Sequence, residues 1–269
     1  MRRLFIDSSI GQLHVREHGE RGVGGVPLIM LHAAPGSAAM LSALQEKFSQ
    51  LTWAIDLPGM GDSVALPEGD AAPTIADYTD VIVNAIQRAN LGEIDVYGTL
   101  SGVRVALDMA ARPEAKVRRV VLDGIGIPKP EQLAELLAHY APPFVPDING
   151  NHLMNTFLLC RDQYLFYPWY ARDAEHRRPN GLPSAALLHA KTMESLKSAA
   201  GFGPLIRAAF SDDVAAKLLS LKQPALISAD GAPTRPDLPI LNFPPAEPLT
   251  CPPDLLDQRA EKIAAFLAD

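Results

Sequence analysis

Short apolar runs bounded by turn residues alternate with helix-like segments up to Asp123, and this rhythm restricts the fold more than any other feature of the chain. The runs lie at 27–31 (Pro-Leu-Ile-Met-Leu), 51–55 (Leu-Thr-Trp-Ala-Ile), 94–97 (Ile-Asp-Val-Tyr) and 117–122 (Val-Arg-Arg-Val-Val-Leu). Continuous apolar runs suit strands covered on both faces, whereas a strand with one wet face alternates apolar and polar residues. Segment 12–18 does alternate, ends at Gly19, and reads as a half-buried strand. Helices are expected over 37–50, from Thr74 to Gly92, and over 103–111. In the second of these, Ile75, Tyr78, Val81, Ile82, Ala85 and Ile86 repeat at helical spacing, and Thr74 with Asp77 resembles a capping box. Alternation of this kind predicts an α/β fold: a mostly parallel sheet with helices on both faces.

The rhythm stops after Asp123. From about 128 to 212 the sequence is helical, aromatic and punctuated by proline. Strand character returns at 224–228, a weak last strand is expected at 240–242, and Leu256, Ala260, Ile263, Ala264 and Leu267 mark one face of a final helix. The expected organisation is a core of residues 1–127 and 213–269 with a helical cap inserted at 128–212. A length of 269 residues suits one such domain.

Composition excludes several classes of function. A net charge of −7 argues against a nucleic-acid binder, which needs a basic face. No stretch reaches the ~18 apolar residues of a membrane span, and the N-terminus lacks the apolar run of a signal peptide. Cys160 and Cys251 match no zinc or redox spacing, so two free thiols in a reducing compartment are expected, with the protein cytoplasmic and monomeric or homodimeric. No cofactor and no metal site are expected, and the implied partner is a small molecule.

Four segments, in order, resemble the α/β-hydrolase superfamily. His32-Ala33-Ala34-Pro35-Gly36-Ser37 is similar to the loop that supplies an oxyanion-hole amide in that family. Asp56-Leu57-Pro58-Gly59-Met60-Gly61-Asp62-Ser63 resembles its Asp-x-Pro-Gly-x-Gly-x-Ser loop. Gly98-Thr99-Leu100-Ser101-Gly102 stands at the place of the nucleophile elbow, and the 224–228 strand with the C-terminal helix completes the pattern. In such an elbow the central side chain is thrust into the pocket, the flanking glycines let strand and helix approach, and the next backbone amide faces developing negative charge. The centre here is Leu100, which has no nucleophilic atom. The family's late histidine is missing too. The seven histidines are His14, His18, His32, His139, His152, His176 and His189, and nothing after His189 carries an imidazole.

The remaining candidates for chemistry are Ser101, Asp123 and His152. Ser101 would be the nucleophile only if the elbow register were shifted by one; otherwise its hydroxyl serves the start of the helix. Thr99 is expected to face packing. Asp123 ends a sheet strand at the carboxyl edge, where α/β sheets bind ligands, and Asp230 follows the next strand; either is otherwise a turn carboxylate. His152 is a candidate base from the cap. Cys251 is read as a plain thiol. The expected ligand-binding residues are His32, Ala33, Ala34, Leu100, Trp169 and Tyr170, with His32 also able to serve only as an ordering group for its loop. Tyr164, Phe166, Tyr167, Trp169 and Tyr170 crowd five aromatic rings into seven positions, as a cap–core interface or a ligand wall would require.

Three functions follow from these residues. The first is a family member that binds or acts on a small carbonyl- or carboxyl-containing molecule without the usual nucleophile. The second is an active ester or amide hydrolase with relocated residues, Ser101 and a cap histidine. The third is a non-catalytic scaffold.

Overall fold

The computed structural model describes residues 1–179, 181–228, 246–248 and 256–268. Along the chain these form β1 (Arg2–Asp7), β2 (Gln12–His18), β3 (Leu28–Leu31), α1 (Ser42–Gln45), β4 (Thr52–Ile55), α2 (Ile75–Arg88), β5 (Ile94–Thr99), α3 (Gly102–Ala110) and β6 (Val117–Asp123). Five helices follow: α4 (Pro130–His139), α5 (Asn151–Leu165), α6 (Ala185–Leu196), α7 (Phe202–Ser211) and α8 (Val214–Ser220). The chain returns to the sheet at β7 (Ala225–Ser228) and β8 (Ala246–Pro248), and α9 (Leu256–Ala268) is its last helix. The strand expected at 240–242, Asp230 and Cys251 all lie outside the described residues.

One sheet joins the eight strands in the order β1-β2-β4-β3-β5-β6-β7-β8. The pairs β1–β2 and β2–β4 are antiparallel, and all pairs from β4 to β8 are parallel. The sheet is thus mostly parallel, as the apolar runs predict. β1 carries no such signal, because five of its six residues keep some exposure at the sheet edge.

Side chains one apart point to opposite faces of a strand, and the core divides accordingly. Ile29, Leu31, Ile55, Val96, Val120 and Leu122 join the cluster beneath α2 and α3. Leu28, Met30, Ala54, Tyr97, Val121 and Leu226 join the cluster beneath α1 and α9. Helix α2 starts at a Thr74–Asp77 capping box and sets its apolar face on the sheet as read from the sequence. The segment after Ser37 departs from expectation. Instead of one helix over 37–50, a 3-10 turn at Ala38–Leu41 leads into the four-residue α1. The buried Gln45 carboxamide then donates to Arg16 O (2.9 Å) and the Thr52 hydroxyl (3.2 Å), which holds the chain end to the sheet instead of continuing the helix.

The order reverses between β3 and β5: the chain steps outward from β3 to β4, then crosses back to β5. At such a switch point the connections leave the carboxyl ends of adjacent strands in opposite directions and open a crevice between them. His32–Ser37 leaves β3 at one side of that crevice, and Leu100–Gly102 leaves β5 at the other.

Candidate functional site

Glycine is required on both sides of the turn between β5 and α3. A Cβ on Gly102 would stand 2.5 Å from Leu31 O and 2.7 Å from His32 O. One on Gly98 would stand 2.6 Å from Gly102 O and 2.7 Å from the Ala106 Cβ. Between them Leu100 has φ +49°, a left-handed conformation that costs an L-residue about 1–2 kcal/mol. The Leu100 amide donates to Asp123 O at 2.9 Å, and its carbonyl accepts from the Val103 amide at 3.2 Å, which holds the turn. The side chain is 43% exposed, unusual for a leucine between two buried elements, and it lines a cavity of about 540 Å³. The residue at the tip of the turn is therefore a hydrocarbon, as the glycine spacing predicts.

Ser101 also lines the cavity, but it stands at the start of α3 and not at the tip. Its Oγ accepts a hydrogen bond from the Ala34 backbone amide at 2.7 Å. An amide that could face an oxyanion is thus directed at a hydroxyl. Ala33 and Ala34 border the cavity. His32 does not: it is fully buried beneath them, donates from Nδ1 to Ala33 O at 2.9 Å, and accepts at Nε2 from the Leu57 amide at 3.0 Å. Burial holds its pKa below the ordinary imidazole value, the neighbouring carbonyl and carboxylates pulling the other way. The expected ligand contact at His32 is therefore corrected to the loop-ordering role, because both ring nitrogens are taken by backbone.

Asp56 serves the same loops. Its carboxylate accepts from the Ala38 amide (2.6 Å), the Asp62 amide (2.9 Å) and His14 Nδ1 (2.8 Å). Burial would raise its pKa, and the His14, His32, Asp62 and Ala38 interactions outweigh that and hold it low. His14, Asp56 and Asp62 are the one group of three potential metal ligands among the described residues. The Arg3 guanidinium occupies it, donating from Nε to His14 Nε2 at 2.9 Å and from Nη2 to Asp62.

At the carboxyl end of β6, Asp123 borders the cavity and is fully engaged. The Tyr97 hydroxyl donates to Oδ2 at 2.6 Å, Arg259 Nε donates to the same oxygen at 2.9 Å, and Arg259 Nη2 reaches Oδ1. Arg259 Nη2 also donates to Ser228 Oγ at 3.1 Å. Burial, and then the Asp123 charge, push the Tyr97 hydroxyl pKa well above its usual value. A permanently charged guanidinium from α9 faces this carboxylate, and a guanidinium cannot shuttle protons near neutral pH.

His152 does not reach the cavity. It sits in the first turn of α5, where its amide donates to Asp147 Oδ2 at 3.0 Å and its Nδ1 accepts from the Asp147 amide at 3.2 Å. The aspartate turn before the helix, and not the site, fixes its ring, so its candidacy as base is corrected. No histidine lines the cavity among the described residues. Trp169 does line it and donates from Nε1 to Tyr140 O at 2.8 Å. Tyr170 does not; its ring packs edge-on against Trp169 and His139. Thr99 lines the cavity, contrary to the packing role expected of it.

Arg104 and Lys191, two of the cations on the cavity wall, were not singled out from the sequence. Arg104 on α3 is 5% exposed and donates to two backbone carbonyls, Ala209 O from Nε (3.2 Å) and Gly126 O from Nη2. Burial lowers its pKa to about 10, against the pull of the Asp212 charge. Arg178 lies over the Tyr167 ring at 5.4 Å, and Lys191 on α6 lies over the Tyr164 ring at 4.7 Å. The signal for Arg104 was present: a lone arginine inside the apolar stretch Val103-Arg104-Val105-Ala106.

With this geometry in place, comparisons with known proteins bear on it. A family model described as the α/β hydrolase fold matches residues 26–151. The structure is similar to that of an enol-lactonase from Burkholderia xenovorans, with 16% identity, a TM-score of 0.68, and 99% of this chain and 100% of that one covered. It is also similar to a hydrolase from Pseudomonas aeruginosa (15% identity, TM-score 0.67, 100% and 99% covered). An epoxide hydrolase from an endophytic Streptomyces aligns at 15% identity with a TM-score of 0.66, over 99% and 94% of the two chains. A search of curated proteins finds no match. At such identities the likeness concerns the fold.

Proposed function

We propose that this chain, which has the α/β-hydrolase fold, belongs to that superfamily and binds or acts on a small, partly apolar molecule bearing a carbonyl or carboxyl group, without forming a covalent acyl intermediate. The observation that carries this reading is Leu100 at φ +49° between Gly98 and Gly102, with its side chain lining the cavity. The turn that elsewhere presents a nucleophile here presents an apolar floor. The engagement of Asp123 by Tyr97 and Arg259 supports the same reading, since the carboxylate best placed to orient a histidine is bound to an arginine.

The segment 128–212 acts as a cap in this reading. Tyr140, Tyr164, Tyr167 and Trp169 from that segment face the same cavity as Leu100, which gives an aromatic wall opposite the floor. Losing nucleophile and base together removes the covalent route; in such units the loss of one member costs on the order of a million-fold in turnover. Among the described residues no helix is long and apolar enough to cross a membrane. The buried free thiol of Cys160 fits a reducing compartment, and we place the protein in the cytoplasm.

The test is a thermal-shift screen of small carboxylates, ketones and lactones beside turnover of p-nitrophenyl acetate. Stabilisation by members of the panel with ester turnover at the buffer rate is expected. A burst of p-nitrophenol with a covalent acyl adduct in the mass spectrum would overturn the reading.

A further inference from the structure

Among the described residues, cations outnumber carboxylates on the wall of the cavity. Among the described residues that line it, the cations are Arg104, Arg178, Lys191 and Arg259, and the one carboxylate is Asp123. Asp123 and Arg259 are bound to each other, so they offer no net charge to a ligand. Arg104 and Lys191 are different. Arg104 is 5% exposed, gives Nε and Nη2 to backbone carbonyls, and among the described residues leaves its Nη1 amino group without a hydrogen bond while it borders the cavity. Lys191 is half-buried over the Tyr164 ring, and among the described residues no carboxylate lies within ion-pair distance of it. Burial, together with the field of Arg178, lowers its pKa.

Arg104 feels the Asp212 charge, but among the described residues neither Arg104 nor Lys191 forms an ion pair with a carboxylate, and a desolvated charge is costly unless it is paired. Carbonyl oxygens and an aromatic face compensate part of that cost. An anion arriving from water would compensate the rest, and it would find planar donors already oriented by the Ala209 and Gly126 carbonyls. The apolar part of the lining is Leu100 below, with the Phe166, Trp169, Ile206 and Phe210 side chains around it; Thr99, Ser101 and Gln163 add neutral polar groups.

We infer that the ligand of this cavity is an amphiphilic organic acid in its anionic form, its acid group held by Arg104 and Lys191 and its apolar body lying over Leu100. This deepens the reading of the cavity as a ligand site and rests on it. It also separates the two ends of the ligand, for the acid is bound by the helices that follow β6 and by α3, not by the backbone amides of Ala34 and Ser101.

The experiment is a fluorescence titration of the intact protein with two probes of similar shape: 8-anilinonaphthalene-1-sulfonate, an anion, and N-phenyl-1-naphthylamine, which is neutral. The wild type is expected to bind the anion at least tenfold tighter. Lys191→Met weakens the anion about tenfold and leaves the neutral probe unchanged, and Arg104→Lys, which keeps the charge but not the planar fork, weakens the anion alone. Leu100→Trp, which fills the floor, abolishes binding of both. Equal affinity for the two probes, unmoved by Lys191→Met, overturns the acid assignment and leaves the ligand cavity standing. Binding of neither probe, or binding that survives Leu100→Trp, overturns the cavity reading itself and the acid assignment with it.

Discussion

The Ser101 hydroxyl and the Ala34 backbone amide are hydrogen-bonded at 2.7 Å, with the amide as donor. The pairing closes the mouth of the turn from within: a potential nucleophile and a potential oxyanion donor satisfy each other. Each would have to be released before it could serve a substrate. Ser101→Ala should therefore leave ester turnover unchanged and lower stability by about 1 kcal/mol, the net worth of one hydrogen bond. Parallel p-nitrophenyl acetate assays and urea titrations check both halves. Loss of measurable turnover in Ser101→Ala alone would identify the hydroxyl as a nucleophile.

Leu100 pays for a left-handed backbone without supplying chemistry. Replacement by glycine removes roughly 1–2 kcal/mol of strain and adds about 0.4–1 kcal/mol of unfolded-state entropy. Only part of a leucine's burial is lost, because the residue is 43% exposed, and that loss offsets the relief of strain. Leu100→Gly is expected to raise the urea midpoint slightly or leave it unchanged; a loss above about 1 kcal/mol would show that the side chain packs rather than floors the cavity.

Gly102 has no such freedom. Its missing Cβ would lie 2.5 Å from Leu31 O, a backbone atom that cannot swing aside. Gly102→Ala should cost about 1–3 kcal/mol or more, as overpacking does, and should shift β3 against α3. Denaturation curves read the first effect, and amide chemical shifts at Leu31 and His32 read the second. An unshifted curve would mean that the contact relaxes freely.

The Asp123–Arg259 pair is buried at both ends, 7% and 4% exposed. Removing one partner of such a pair strands the other, at a typical cost of about 3–5 kcal/mol. Arg259→Met should be strongly destabilising, and Asp123→Asn combined with Arg259→Met should be less so than the two single losses added together. Strict additivity in a double-mutant cycle would rule out the coupling.

His32 has both ring nitrogens on backbone and a pKa below its ordinary value. The unfolded chain therefore takes up a proton more readily than the folded one as the pH falls through the usual imidazole range near 6.5. Its contribution to stability is complete above that range and declines as the pH falls below about 6.5, by at most about 1.4 kcal/mol per pH unit. In His32→Gln the decline over that window should be shallower, as measured by urea unfolding at each pH. Nitrogen shifts should report a neutral ring protonated on Nδ1 in the wild type at pH 6; a charged ring would contradict the Leu57 bond.

Much of this was legible in the one-dimensional pattern. Runs such as Leu28–Leu31 and Val117–Asp123 fix strands covered on both faces, and Gly98 and Gly102 fix the turn, because these depend on local chemistry and short spacings. β1 was not legible, since an edge strand needs no apolar run. The shortened α1 was not legible either, because Gln45 is recruited by Arg16 and Thr52, which the sheet brings to it.

From the sequence by itself came the fold class, the frame of the elbow, and the fact that a leucine stands where a reactive atom would be needed. The cast of the cavity was decided only in three dimensions. Asp123 meets Arg259 across 136 positions, Arg104 meets the Ala209 carbonyl across 105, and His152 is claimed by Asp147 five residues away. A side chain's partner depends on which elements the sheet order and the helices after β6 bring together. Periodicity reports which face is apolar, but the charges set into such a face acquire their function only from the long-range contacts that surround them.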